Sequence, residues 1–329
     1  MGAPKSTYHI NQCALYKIGS KKRLAAILNV GLDHLLSLEQ KPLYRVFPLP
    51  ESICPFTGKV TKERWVQEPA AKLRAVHERI QKLLMRVTPP TYAHAAVKGR
   101  SYRTNAAAHA QGEWVATFDI TKFYPSTPES KVFDFFSRKL LCADDVAGLI
   151  TKIVCHKPAG ENSRYSLPTG SPLSPILSIY ANLQLFDALD ALAKKWRLTF
   201  TCYVDDITFS GNALPPGLEK IVHSIIRKHG HAMAAKKTRI FSPEQAKHIT
   251  GVVIKAGKIS VPFSRFKKAR RIQLAINSAT DAEEKLVLNR KLAGLLGEAA
   301  FLDKRYESWA QASFQAVATQ QAAVCIATS

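Results

Sequence analysis

Three aspartates carry the chemistry that this sequence suggests. The stretch "TFTCYVDDITFSG" (199–211) sets Asp205 and Asp206 side by side between two runs of β-forming residues. Adjacent anions repel, and desolvating them is costly unless a cation compensates. The pair therefore either lies in solvent on a plain turn or holds something positive. A third carboxylate, Asp119, stands near the end of the alternating run "EWVATFDI" (113–120). If both segments are neighbours in one antiparallel sheet, Asp119, Asp205 and Asp206 can meet. Three clustered carboxylates need divalent cations, and a donor set of oxygens alone favours Mg²⁺ or Mn²⁺. Two such ions about 4 Å apart can serve an in-line phosphoryl transfer.

The elements that must position these groups are legible in outline. Residues 113–120 alternate with period two and predict a strand that delivers a carboxylate at its end. "LTFTCYV" and "ITFSG" predict a β-hairpin with Asp205 and Asp206 at its tip. Residues 20–38 and 70–87 each place an apolar stripe at helical spacing. The Pro/Gly loop "LPTGSPLSP" (167–175) precedes a helical pattern through "ILSIYANLQLFDALDALAKKW". A helix at 217–230 and strands at 238–241, 249–254 and 258–261 follow. The final ~65 residues read as mainly helical, with the last dozen frayed.

Composition narrows the partners. The 329 residues are 46% hydrophobic, enough to fold around a substantial core. No apolar run reaches the ~18 residues a membrane span needs, and the start of the chain lacks the apolar core of a signal peptide. The expectation is a cytosolic protein with no membrane partner. Six scattered cysteines without a Cys-x-x-Cys pair argue against a zinc ribbon or a disulfide framework. The His229/His231 pair has no cysteine nearby and reads as core or surface. Lys plus Arg total 47 against 25 acids, a net charge of +22 that favours a polyanion. Residues 236–271 carry eleven Lys/Arg and one acid, Glu244; residues 59–103 carry eleven against three. This basic–acidic–basic layout suggests an anionic ligand gripped at two ends of a carboxylate site.

The motifs themselves resemble a known family. "YVDD" (203–206) with "FDITKFYPS" (118–126) looks like the catalytic motif pair of reverse transcriptases, and "LPTGSPLSP" looks like the loop between them. "NAAAH" (105–109), "ITGVVI" (249–254) and "VKGRS" (97–101) are similar to elements of the bacterial retron enzymes. The resemblance implies an α+β, right-hand polymerase fold with fingers, an antiparallel-sheet palm and a helical thumb. Residues 1–112 would form the N-terminal region and fingers. Residues 113–255 would form the palm, with a fingers insertion around 140–168, and 256–329 the thumb. The ~58 residues after 271 leave room for a thumb and none for an RNase H, protease or nuclease domain.

The resemblance also implies roles. Asp119, Asp205 and Asp206 would be catalytic and hold two Mg²⁺, with help from the Ile120 carbonyl. Tyr124 falls where the family keeps an aromatic gate against the ribose 2′-OH; its alternative is a core aromatic. Arg64 aligns with the fingers arginine on the incoming dNTP, assisted by Lys59 or Lys62. Lys237, with Lys236 competing, sits where a lysine could protonate the pyrophosphate leaving group or simply contact phosphate. Retron enzymes copy part of their own structured non-coding RNA into DNA, primed from a guanosine 2′-OH to give branched RNA–DNA (msDNA). They act beside a separate effector protein, often in antiphage defence.

Candidates for recognising the RNA are Asn105, His109, Thr250 and Gly251, with Arg265, Lys267, Lys268, Arg270 and Arg271 for its phosphates. The alternative for Asn105 and His109 is loop stabilisation, and for Thr250–Gly251 a strand bend. Two residues depart from the pattern. Val204 stands where retron enzymes commonly have Ala, and Thr169 where most family members have Gln. Neither is a metal ligand, so activity is expected to survive. Competing readings are a non-retron bacterial reverse transcriptase, defence-associated or group II intron-like, and a catalytically idle RNA-binding scaffold.

Overall fold

The computed structural model describes residues 7–40, 44–158 and 164–328; part of the segment expected as an insertion around 140–168 lies outside them. Contacts divide the chain into two units, residues 1–49 with 64–243 and residues 50–63 with 244–329. These units cut the chain elsewhere than the functional division expected at 112/113 and 255/256, because a small C-terminal meander (247–260) and the 50–63 ribbon group with the last helices.

The first unit opens with α1 (Lys21–Leu28) and α2 (Leu32–Gln40). The single helix expected over 20–38 is thus two. Asn29 takes a left-handed conformation at φ +59°, and its N–H closes back on the last turn of α1. An antiparallel ribbon of β1 (Tyr44–Leu49) and β4 (Arg64–Pro69) has the short hairpin of β2 (Ser52–Ile53) and β3 (Val60–Thr61) between its strands in sequence. Next come α3 (Ala71–Leu84) and α4 (Tyr102–Ala107). Ser101 caps α4 through a reciprocal box with Thr104.

The sheet that matters is four-stranded and antiparallel. It is built from β5 (Trp114–Asp119), β6 (Thr199–Tyr203), β7 (Asp206–Gly211) and β8 (Arg239–Phe241), in spatial order β6-β7-β5-β8. Between β5 and β6 lie α5 (Glu129–Asp134), α6 (Asp144–Val154), α7 (Ser174–Ala181) and α8 (Leu183–Lys195); α9 (Leu218–Lys228) precedes β8. The helical run expected after residue 175 bends by 67° at Asn182, between α7 and α8.

One face of the sheet is apolar. Ala116, Phe118, Phe200, Ile207 and Phe209 pack with Phe186 and Leu189 of α8 and Val222 and Ile226 of α9. Losing a buried phenylalanine from such a cluster costs about 3–5 kcal/mol. The other face is polar, with Thr117 paired to Thr208 and Asp119 paired to Asp206. Side chains alternate with period two, so a one-residue slip would drive the acids into the apolar core.

In the second unit, β9 (Lys247–Ile249), β10 (Val252–Lys255) and β11 (Lys258–Ser260) form a meander ahead of α10 (Phe263–Ser278), α11 (Ala282–Leu302) and α12 (Glu307–Thr328). The strand expected over 249–254 is therefore a hairpin. Thr250 and Gly251 form its two-residue turn at φ +48° and +77°, and the positive φ at both explains the glycine. The backbone of α12 continues helical through Thr328 rather than fraying. Ala269 and Ile272 of α10, Leu292 and Leu296 of α11 and Ala310 of α12 form a separate small core. Among the described residues no single helix is long and apolar enough to cross a membrane. Cys13, Cys54, Cys142, Cys155 and Cys202 are free thiols, and the Cys325 side chain lies outside the described residues.

Candidate active site

β5, β6 and β7 bring the three aspartates together. Asp119 is the last residue of β5 and lies directly opposite Asp206, the first residue of β7. The Ile120 N–H donates to the Asp205 carbonyl at 3.2 Å, which ties the strand end to the hairpin tip. At that tip Val204 has φ +61°, a strained position for a β-branched residue, and the bend it makes sets Asp205 beside the β5 end. The Asp119 backbone is clamped from the other side by the Ala234 N–H, which donates to its carbonyl at 2.8 Å.

Like charges opposite one another destabilise a strand pair. Burial, then the charges of Asp205 and Asp119, raise Asp206 to about 7, and burial raises Asp205 as well. One cation already answers this charge. The Lys237 Nζ donates to both Asp119 oxygens, at 2.9 and 2.8 Å, and that bond raises the lysine's own pKa. Among the described residues, no three acidic, imidazole or thiol groups stand in a ready coordination sphere. The ammonium occupies one arm of the cluster as a stand-in. An all-oxygen donor set, two carboxylates reluctant to ionise and a lysine drawn onto the third all fit a hard divalent cation.

Other expected residues fall in several places. Tyr124 is half-buried and packs against Phe123, and its hydroxyl is shifted up by burial first and then by the charge of Asp205. Arg64 is exposed at the start of β4. The loop with Thr169 is fastened to β4. The Thr169 N–H and hydroxyl both contact the Gln67 Oε1, at 3.1 and 2.9 Å. A Cβ on Gly170 would come within 2.7 Å of the Gln67 carbonyl, so this approach requires glycine.

Asn105 and His109 need correction as surface contacts. Both are fully buried. The His109 ring bridges Ser210 and Thr201, at 2.7 Å each, and burial lowers its pKa to about 3. It braces the polar face of the sheet and presents nothing to a partner. Thr250 and Gly251 lie at a hairpin turn. Arg265, near Gly251, is ion-paired with Glu298 at 2.8 Å. Lys267, Arg270 and Arg271 are exposed on α10 and Lys268 is half-buried; the Lys267 ammonium lies 5.0 Å over the Phe263 ring.

Sequence reasoning missed Gln67, His77 and Lys131, none of which sits in a motif, whereas His231 is buried, as the core reading of the His229/His231 pair expects. His77, buried in α3, holds Ser171 of the Pro/Gly loop at 2.7 Å. For His77 and Lys131 the available signal is a polar residue at an inward position of a helix.

The sequence profile described as "Reverse transcriptase (RNA-dependent DNA polymerase)" matches residues 57–254. The chain belongs to the reverse transcriptase family. Curated relatives of this reverse transcriptase include the Retron Se72 reverse transcriptase of Salmonella heidelberg, 30% identical over 61% of this chain and 54% of that protein. The Retron Ec86 reverse transcriptase of Escherichia coli is 26% identical over 69% of this chain and 68% of that one. The Retron Mx65 reverse transcriptase of Myxococcus xanthus is 28% identical over 73% and 58%. The chain thus spans little more than half the length of the first of these. Among solved structures, one described as a foamy viral protease-reverse transcriptase in complex with double-stranded DNA superposes with a TM-score of 0.41 at 17% identity. That superposition covers 91% of this chain and 43% of that one.

Proposed function

We infer that this chain is the RNA-directed DNA polymerase of a retron, making DNA on a cognate structured RNA from dNTPs. The observation that supports it most is the register that pairs Asp119 with Asp206 at the tip of the Asp205-bearing hairpin. Asp119, Asp205 and Asp206, with the Ile120 carbonyl, are the groups that would hold two Mg²⁺, and Mn²⁺ suits the same oxygens. When bound, such a pair lowers the pKa of an attacking hydroxyl and stabilises the pyrophosphate leaving group.

The chain's own residues do the rest. Lys237 holds Asp119 in place and, once released, is an ammonium within reach of a triphosphate. Tyr124 stands against the sugar, and Arg64 takes the phosphates. The outer face of α10 neutralises RNA backbone charge, with Thr250 and Gly251 reading shape nearby. We assign residues 1–112 to the N-terminal region and fingers, 113–255 to the palm and 256–329 to the thumb. Priming from a guanosine 2′-OH, a separate effector and a role in antiphage defence belong to the same proposal, which rests on the likeness to enzymes named as retron reverse transcriptases.

Primer extension on an RNA template with dNTPs and Mg²⁺ tests it. Wild type should extend, and Asp205→Asn should lose activity on the order of 10³-fold. Equal extension by both would overturn the catalytic reading. DNA that copurifies from the native host joined to RNA through a 2′–5′ linkage supports the retron assignment, and purely linear products refute it.

A further inference from the structure

Lys131, on α5, is partly buried among neutral acceptors rather than beside an acid. Its Nζ donates to the His229 carbonyl at 2.6 Å, the Asn182 Oδ1 at 2.7 Å and the His231 Nε2 at 2.9 Å. Three donors meet three acceptors. An ammonium can only donate, so the His231 Nε2 has to accept and the ring proton sits on Nδ1. That N–H donates to the Ser126 Oγ at 2.8 Å, which leaves the Ser126 hydroxyl to donate to the Phe123 carbonyl at 3.0 Å. A second arm leaves from Asn182. Its Nδ2 donates to the Thr127 Oγ1 at 3.0 Å, and the Thr127 hydroxyl donates to the same Phe123 carbonyl at 2.9 Å. Both arms end on the residue before Tyr124. Just beyond His231, the Ala232 carbonyl and Ala234 N–H bond to Thr121 and Asp119, both at 2.8 Å.

The direction of these bonds depends on the ammonium. The Asn182 Oδ1 also lies 2.8 Å from the His231 Nε2. Without Lys131, these two atoms are best joined by a proton on Nε2. The imidazole then takes the opposite tautomer, Nδ1 accepts from Ser126, and the Ser126 hydroxyl leaves the Phe123 carbonyl.

We propose that Lys131 is a positioning residue for the turn that carries Tyr124. It sets the direction of the His231–Ser126 arm, one of two hydrogen-bond relays that converge on the carbonyl of Phe123, the residue before Tyr124. Its effect on chemistry rests on the reading of Tyr124 as a sugar gate; the relay itself does not.

The test joins a spectroscopic readout to a kinetic one. Lys131→Met keeps the length of the side chain and removes its donors; the desolvated charge goes with them while the His229 carbonyl loses its side-chain donor, so Tm should fall by a few degrees at most. Imidazole ¹⁵N NMR of the full chain at pH 7 should show His231 protonated on Nδ1 in wild type and on Nε2 in Lys131→Met. Discrimination against ribonucleotides in primer extension should fall roughly tenfold in that variant at a temperature where it is fully folded. In a Tyr124→Ala background, Lys131→Met should change discrimination no further, since both act on one group. An Nδ1 proton retained in Lys131→Met overturns the relay. A tautomer switch with unaltered sugar discrimination overturns the positioning role. A wild-type protein that makes no DNA defeats the functional reading instead, and the tautomer shift still decides the relay.

Discussion

Asp206 illustrates how a residue can be set against its own fold. Its folded pKa of about 7 lies above its unfolded value, so the native state holds a proton that the unfolded chain has released. Stability from this group is present at low pH and lost as pH rises from about 4 through 7, where the ionised form is forced into a desolvated, like-charged place. Asp206→Asn should therefore raise the Tm of the metal-free protein by a few degrees at pH 8 and have little effect at pH 4. It should also abolish the stabilisation that Mg²⁺ gives the wild type at pH 8. Thermal scans at both pH values, with and without Mg²⁺, check this; a Tm lowered at pH 8 would contradict it.

At the scale of elements, α10 separates packing from exposed charge by its faces. Ala269 and Ile272 face the small C-terminal core, whereas Lys267, Arg270 and Arg271 are exposed and Lys268 is half-buried. Replacing Lys267 and Arg270 by Gln should flatten the slope of log K for RNA against log salt by about 1.5, at nearly constant Tm; Arg271 is left in place because it also donates to the Phe56 carbonyl. A filter-binding series in salt measures it, and an unaltered slope would move the RNA path off this helix. Arg265 should contribute less, because Glu298 already holds its guanidinium.

The catalytic strand and hairpin were legible from sequence because their apolar alternation and motif spacing are local properties. The break at Asn29, the bend at Asn182 and the turn at Thr250–Gly251 were not, because single residues end those elements through left-handed backbone or tertiary bonding. For Asn105 and His109 the sequence leaves RNA recognition and loop stabilisation both open. Polarity in a sequence does not say whether a partner is water, RNA or, as for His109, a pair of buried hydroxyls.

Across the whole molecule, buried imidazoles oppose Asp206. Burial lowers His77 and His94 to about 4 and His109 and His231 to about 3. In the unfolded chain each takes up a proton near pH 6.5, so unfolding binds protons and stability falls as pH drops through 6.5 towards 4. Four such groups outweigh the single proton of Asp206, and the net expectation is acid lability below about pH 6. Chemical denaturation at pH 5 and pH 7 should show the lower stability at pH 5. His109→Gln should reduce that difference, although it costs stability at pH 7 through the lost bridge between Ser210 and Thr201.

The claim beneath all of this is that Asp119, Asp205 and Asp206 hold a divalent cation together. Mn²⁺ titration followed by electron paramagnetic resonance, on the full chain with primer, RNA template and a non-hydrolysable dNTP, addresses it most directly. Wild type should bind Mn²⁺ at a site lost in Asp119→Asn and in Asp205→Asn alike, while both variants remain folded. Equal Mn²⁺ binding by wild type and either variant would contradict it.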